Sequence, residues 1–198
     1  MFTGIVEEKG RIAGLARHRN LCVLEVASGK VFRGTKIGDS IAVNGVCLTV
    51  SKKERHRLLF EVMRETLFKT TLKDLRVESP VNLERALKAA SRFGGHLVCG
   101  HVDGIGTITR IVKKANSVEF QISLPTKLAR FLVSKGSVGV DGVSLTVGEV
   151  EGNRFSIYLI PYTLKKTTLG DKKLLDRVNI ETDLIAKYLF YRRKRPLR

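Results

Sequence analysis

The chain has 198 residues, 43% of them hydrophobic, and a formal net charge of +17. That hydrophobic share excludes a disordered chain, and no apolar run approaches the ~18 residues a membrane span needs. The charge raises nucleic acid as a partner, but the basic residues are spread out, tryptophan is absent and no basic strand carries interleaved aromatics, so a solvated surface is the preferred reading.

Taken in chain order, Met1-Phe2-Thr3-Gly4-Ile5-Val6-Glu7-Glu8 has no basic stretch leading a long apolar one, and does not read as a signal peptide. Cys22, Leu24 and Val26 then alternate with other residues, as do Ile41 and Val43, Val46, Leu48 and Val50, and Leu58, Phe60 and Val62. A period of two predicts half-buried strands. Asn44-Gly45 joins two of these runs, and both residues accept the positive φ of a tight hairpin. Leu83, Ala86, Leu87 and Ala90 fall at helical spacing, which predicts a helix stopped by Gly94-Gly95.

The second half repeats the first. Val118, Phe120 and Ile122 alternate, Asp141-Gly142 stands where Asn44-Gly45 stood, and Phe155, Ile157 and Leu159 supply the later strand. Pro125 opens a short helix with Leu128, Phe131 and Leu132 inward, ending before Gly136. A last helix begins near Thr182-Asp183 and runs through Leu184, Tyr188 and Leu189 into a basic tail, Arg192-Arg193-Lys194-Arg195 with Arg198. It has no strand set of its own to cover, so it packs against another subunit or folds back on its own domain.

The repetition is close. Asn44-Gly45-Val46-Cys47-Leu48-Thr49-Val50 returns 97 residues later as Asp141-Gly142-Val143-Ser144-Leu145-Thr146-Val147. The same shift carries Thr66-Leu67-Phe68-Lys69-Thr70-Thr71-Leu72 onto Thr163-Leu164-Lys165-Lys166-Thr167-Thr168-Leu169, and Val81-Asn82-Leu83-Glu84 onto Val178-Asn179-Ile180-Glu181. The chain is therefore two copies of one unit. Five or six short strands in each predict closed antiparallel barrels, which leave no sheet edge exposed.

Function should divide where the copies differ. Cys47 faces Ser144, Ile5 faces His101 and Gly38 faces Lys135, while Thr49 and Thr146 match, as do Ser40 and Ser137. On a strand, Cys47 and Thr49 point away from Val46, Leu48 and Val50, and Ser144 and Thr146 do the same. Each copy thus presents a small polar pair on one wall, more readily a binding wall than a bare strand face because both copies keep it. His96, Cys99 and His101 have the residue types of a zinc site, but on a regular strand His96 points away from the other two, so no metal is expected. Cys47 is either a structural thiol or half of a nucleophilic pair with a histidine. Three cysteines, Cys22, Cys47 and Cys99, with no paired-ligand spacing, predict reduced thiols in the cytoplasm.

Met1 to Glu7, Asn44 to Val50, Gly94-Gly95-His96 with Gly100-His101-Val102-Asp103-Gly104, and Asp141 to Val147 together resemble the riboflavin synthase family, alpha-chain type, over essentially the whole chain. The resemblance implies an all-β fold of two tandem six-stranded Greek-key barrels plus a C-terminal α-helix. The expected units are residues 1–96, 97–183 and 184–198, the last a trimerisation helix and basic tail. It further implies a homotrimer whose working site lies between the first barrel of one subunit and the second barrel of a neighbour. The implied reaction is a dismutation of two 6,7-dimethyl-8-ribityllumazine molecules into riboflavin and 5-amino-6-(ribitylamino)uracil, the last step of riboflavin biosynthesis. No cofactor, nucleic acid or membrane is implied.

By the same resemblance Gly4, Ile5, Val6, Cys47, Leu48 and Thr49, with Glu61, Val62, Met63, Arg64, Glu65 and Thr66, line the first barrel's site. Gly100, His101, Val102, Lys135, Ser144, Leu145 and Thr146, with Leu159, Ile160, Pro161, Tyr162, Thr163 and Leu164, line the second. His101, Cys47, Ser144 and Thr146 are the candidates for chemistry, His101 as a proton carrier and Cys47, Ser144 or a water at the acceptor ring. One departure stands out. Tyr162 replaces the carboxylate usual in the family and kept at Glu65, and a phenol cannot accept as a carboxylate does. Non-catalytic lumazine or flavin carriers share the architecture but tend to lose the second copy's polar set.

Overall fold

The computed structural model describes residues 1–19 and 21–194; Arg195 and Arg198 of the basic tail lie outside them. The first copy forms β1 (Glu8–Arg17), β2 (Leu21–Ala27), β3 (Ser40–Val43), β4 (Val46–Glu54), β5 (Arg57–Met63), α1 (Arg64–Lys69) and β6 (Pro80–Arg85). The second forms β7 (Gly104–Lys113), β8 (Val118–Ser123), α2 (Thr126–Ala129), β9 (Ser137–Val140), β10 (Val143–Glu151), β11 (Arg154–Leu159), α3 (Pro161–Lys166) and β12 (Arg177–Thr182). A final helix, α4, covers Leu184–Lys194.

Each copy closes into an all-antiparallel barrel, in the order β1-β2-β5-β4-β3-β6 and β7-β8-β11-β10-β9-β12. The alternation read from sequence sets the inside. Leu24, Val26, Leu58, Phe60 and Val62 fill the first barrel, and Phe120, Ile122, Phe155, Ile157 and Leu159 the second. Among the described residues no helix is long and apolar enough to cross a membrane.

The predicted helix over Leu83–Ala90 does not form. Leu83 lies in β6, paired with both β1 and β3, and no helix follows before β7. Both faces of β6 are buried, Val81 and Leu83 in the barrel, Asn82 toward the other copy and Glu84 under the Thr3-Gly4 segment. A strand without a wet face loses its period-two signature, and a helical spacing arose by coincidence.

The two barrels meet at their hairpin turns. Asn44 and Gly45, and likewise Asp141 and Gly142, all have positive φ, as this type of hairpin requires. The turns press on each other: a Cβ on Gly45 would lie 2.7 Å from the Gly142 nitrogen, and one on Gly142 2.6 Å from the Gly45 nitrogen. Only glycine serves there.

Two buried asparagines clasp this contact from either side. Asn82 Nδ2 donates to the Asp141 carbonyl at 2.9 Å, and its Oδ1 accepts from the Thr168 backbone at 2.8 Å. Reciprocally, Asn179 Nδ2 donates to the Asn44 carbonyl at 2.8 Å and its Oδ1 accepts from the Thr71 backbone at 2.8 Å. The repeated Val-Asn-hydrophobic-Glu segment is thus an inter-barrel device. Removing either amide strands two buried backbone groups of the opposite copy, so Asn82→Ala and Asn179→Ala should each cost on the order of 2–4 kcal/mol. Denaturant unfolding measures this, and an unshifted midpoint in both variants would contradict the clasp.

Candidate functional site

The repeated glutamates fix the segment that leads into each copy. Glu84 accepts from the Thr3 and Gly4 backbones at 2.7 and 3.0 Å, and Glu181 from the Cys99 and Gly100 backbones at 2.7 and 3.0 Å. Burial raises both carboxyls above the ordinary carboxylate range, against the pull of these donors. Phe2 and Val98 bridge the two leading segments to each other.

From these anchors the segments cross over. The Ser144 backbone on β10 donates to the Gly4 carbonyl at 2.7 Å, and the Cys47 backbone on β4 donates to the Gly100 carbonyl at 2.9 Å. Contact is close, since a Cβ on Gly4 would lie 2.6 Å from Ser144 Cβ and one on Gly100 2.5 Å from Cys47 Cβ. Val6 packs on the second barrel's core and Val102 on the first's. This corrects the sorting expected from sequence, which placed Gly4, Ile5 and Val6 with Cys47, and Gly100, His101 and Val102 with Ser144. The exchange follows from the clasp. The turns meet back to back, so each leading segment reaches the neighbouring wall before its own.

The exchange shapes a cavity of about 200 Å³ on the first barrel, lined by Val46, Cys47, Glu65, Thr66, Lys69, Thr70, Gly100, His101 and Val102. Four sequence-predicted features converge there: the β4 wall, the Glu65-Thr66 pair, His101 and its glycine. The wall alternates as expected, with Val46, Leu48 and Val50 buried, Cys47 half-buried and Thr49 exposed. On β10 Val143 and Val147 are buried, while Ser144 is half-buried and Thr146 exposed. Cross-strand pairing sets Ser40 beside Thr49 and Ser137 beside Thr146.

Other predicted residues fall elsewhere. The side chains of Leu48, Val62 and Leu159 point into the barrel cores, so a ligand outside the wall can meet only their backbone. Leu145 and Leu164 pack partly on the second core. Glu61, Met63, Arg64, Ile160, Pro161 and Tyr162 are exposed, with Thr163 half-buried. Glu65 pairs with Lys69 one turn on, and at the matching place the Lys166 ammonium lies 5.9 Å from the Tyr162 ring. Tyr162 therefore keeps the helical i,i+4 partnership of Glu65 through its ring face while giving up the carboxylate. Lys135 has a φ of 68°, where the first copy has Gly38 at 89°. A lysine held in the left-handed region is strained, a cost often met at functional sites.

Sequence reasoning missed His96. Its Nδ1 lies 2.7 Å from Ser144 Oγ, its backbone N–H donates to the Thr3 carbonyl at 3.1 Å, and the ring is buried. The Gly-Gly-His segment was visible, but nothing in its spacing pointed to a wall strand nearly fifty residues away. Among the described residues no cluster of His, Cys, Asp and Glu could hold a metal ion.

Comparison with known proteins fits this geometry. The family model for the Lumazine binding domain matches residues 3–86 and again 99–183. A riboflavin synthase of Actinobacillus pleuropneumoniae is 46% identical over 189 residues, covering 96% of this chain and 88% of that protein. That of Bacillus subtilis (strain 168) is 45% identical over 190 residues, with the same coverage. The Mycobacterium tuberculosis H37Rv riboflavin synthase is 44% identical over 193 residues, covering 96% of both chains. Among solved structures, LumP complexed with 6,7-dimethyl-8-(1'-D-ribityl) lumazine superposes with a TM-score of 0.84 at 25% identity. LumP complexed with riboflavin gives 0.86 at 26% identity, and each alignment covers 92% of this chain and 99% of the other.

Burial lowers the His96 pKa from the ordinary value of 6.5, with Asp183 offsetting part of the effect. A depressed imidazole contributes stability in full above that ordinary value and loses it as pH falls through the lowered one. The His96 contribution to stability should therefore fade between about pH 7.5 and about pH 5, opposite in sign to that of the raised Glu84 and Glu181 carboxyls, and relative to the parent His96→Asn should lose less stability over that interval. Denaturant unfolding at the two pH values checks it; an equal loss in the variant would contradict the assignment.

Proposed function

The chain belongs to the riboflavin synthase family and is an enzyme of the transferase class, and on that premise we propose how its two copies carry out the reaction. The substrate is 6,7-dimethyl-8-ribityllumazine, taken twice. One molecule gives up a four-carbon unit to the other, leaving riboflavin and 5-amino-6-(ribitylamino)uracil. Atoms and electrons balance between the two lumazines, so no external oxidant or reductant is called for.

One observation carries the reading: the chain holds two equivalent polar walls, Cys47 with Thr49 and Ser144 with Thr146, each crossed by a glycine of the opposite copy. A reaction between two identical molecules suits a pair of like sites. The chemistry asked of the protein is modest. The 7-methyl group is acidic because its carbanion delocalises into the ring system, and donors near the ring carbonyls stabilise the charge. Holding two rings in reactive register removes the entropy of their encounter.

In this proposal Cys47, Thr49, Glu65, Thr66, Gly100, His101 and Val102 serve the first site. Ser144, Thr146, Lys135, Tyr162, Thr163, Gly4, Ile5 and Val6 serve the second. His101, which lines the first cavity, assists proton transfer as a positioned imidazole.

In keeping with the family resemblance, the two ligands that react come from different subunits in this reading. The face of α4 turned away from its own barrel supports a homotrimer, with Ile185, Tyr188 and Leu189 exposed. The opposite side of α4 is already used. Phe190 meets Phe131 edge-on at 5.3 Å, Arg130 covers both rings, and Lys187 pairs with Asp103 at 2.7 Å. Three unpaired thiols, Cys22, Cys47 and Cys99, favour a reducing compartment, the cytoplasm.

Incubating the chain with the lumazine should produce riboflavin absorbance. Binding without turnover would instead make it a carrier. His101→Gln should lower turnover by roughly 100-fold or more with folding intact; an unchanged rate would remove His101 from the chemistry.

A further inference from the structure

We propose that His96 is a positioning residue that fixes the rotation of the Ser144 hydroxyl, so that the second wall meets its ligand with a preset polar group while the first does not. The inference rests on the reading of Ser144 as facing a substrate, and adds an asymmetry to it.

A serine hydroxyl on an exposed strand turns freely among its rotamers and spends entropy when a ligand stops it. Here the rotation is already stopped. His96 Nδ1 stands 2.7 Å from Ser144 Oγ, and the ring is 8% exposed. Burial disfavours the charged ring, and the contact occupies one of the hydroxyl's bonding directions, leaving the rest for the open side of the wall.

The segment carrying the ring is built to reach this spot. A Cβ on Gly95 would lie 2.0 Å from the Thr3 carbonyl oxygen and 2.9 Å from Ser144 Oγ, so any larger residue would push His96 off the wall. The ring's second nitrogen, Nε2, is buried without a hydrogen-bond partner among the described residues. A buried unpaired ring nitrogen is a standing cost that an apolar side chain of similar size would avoid. Packing therefore does not account for a histidine here; the bond to Ser144 does.

The duplicated copy serves as an internal control. At the matching place on the first wall stands Cys47, whose thiol has no hydrogen-bond partner among the described residues. A thiol is a weak donor and acceptor in any case. The first wall is left to adapt to its ligand, and the second is set in advance.

The shape of the substitutes supplies the test. An asparagine can place an amide atom where Nδ1 stands, whereas a glutamine places its amide at the Nε2 position. Riboflavin formation would be measured for the full chain and for Ser144→Ala, His96→Gln, His96→Asn and the His96→Gln/Ser144→Ala double variant. His96→Gln and Ser144→Ala should each lower kcat/KM about tenfold, the double variant no further, and His96→Asn should stay within about threefold of the parent. Losses that multiply in the double variant, or an asparagine as impaired as the glutamine, would overturn the proposal. If the His96 variants fail to fold, the ¹⁵N resonance of the parent's Nδ1 decides: it should move in Ser144→Ala, and an unmoved resonance overturns the pairing. A parent that makes no riboflavin defeats the functional reading instead, while the resonance still tests the pair.

Discussion

Everything in this molecule hangs on the place where two hairpin turns touch. Gly45 and Gly142 come so close that neither tolerates a Cβ, and two buried asparagines lace the turns together across a pseudo-twofold axis. Each amide is spent on the opposite copy, donating to a turn carbonyl and accepting from a backbone N–H. Neither barrel can satisfy its own turn alone, which makes one cooperative body of two similar halves. Such a contact is costly to open, because breaking it leaves several buried polar groups unpaired at once.

The crossing of the leading segments is a consequence of that contact. With the turns back to back, Glu84 and Glu181 hold Thr3-Gly4 and Cys99-Gly100 where each can only reach the neighbour's wall strand. Each candidate site therefore contains residues of both copies, and damage to either copy's leading segment would be felt on the other's barrel. Symmetry of construction does not mean symmetry of chemistry. Cys47 and Ser144, Ile5 and His101, Gly38 and Lys135, and Glu65 and Tyr162 give the two walls different equipment, as a reaction with a giver and a taker requires.

Much of this was legible in the chain itself. The alternation around Phe60 and Phe155, the Asn-Gly and Asp-Gly turns and the outward polar pairs all depend on neighbours in sequence, and local patterns report them. Family resemblance supplied candidate site residues, but not how the fold groups them. The assignment of Gly4 to its own barrel failed because the crossing is a tertiary outcome of the asparagine clasp. β6 was misread for a related reason: Asn82 is buried against the other copy and Glu84 under the Thr3-Gly4 segment, so the strand has no wet face to mark it. The pairing of His96 with Ser144 escaped notice because the two are remote in sequence and close only once Gly95 lets the segment lie flat.

The central claim is that one chain carries two like sites for a single substrate, each assembled from both halves. The number of lumazine molecules bound per chain tests it most directly, measured by equilibrium dialysis or calorimetry under conditions too brief or too cold for turnover. The account predicts saturation at two per chain, and at one per chain when Gly100→Val blocks the approach to Cys47. Saturation of the parent at one, or two sites persisting in the blocked variant, would contradict it.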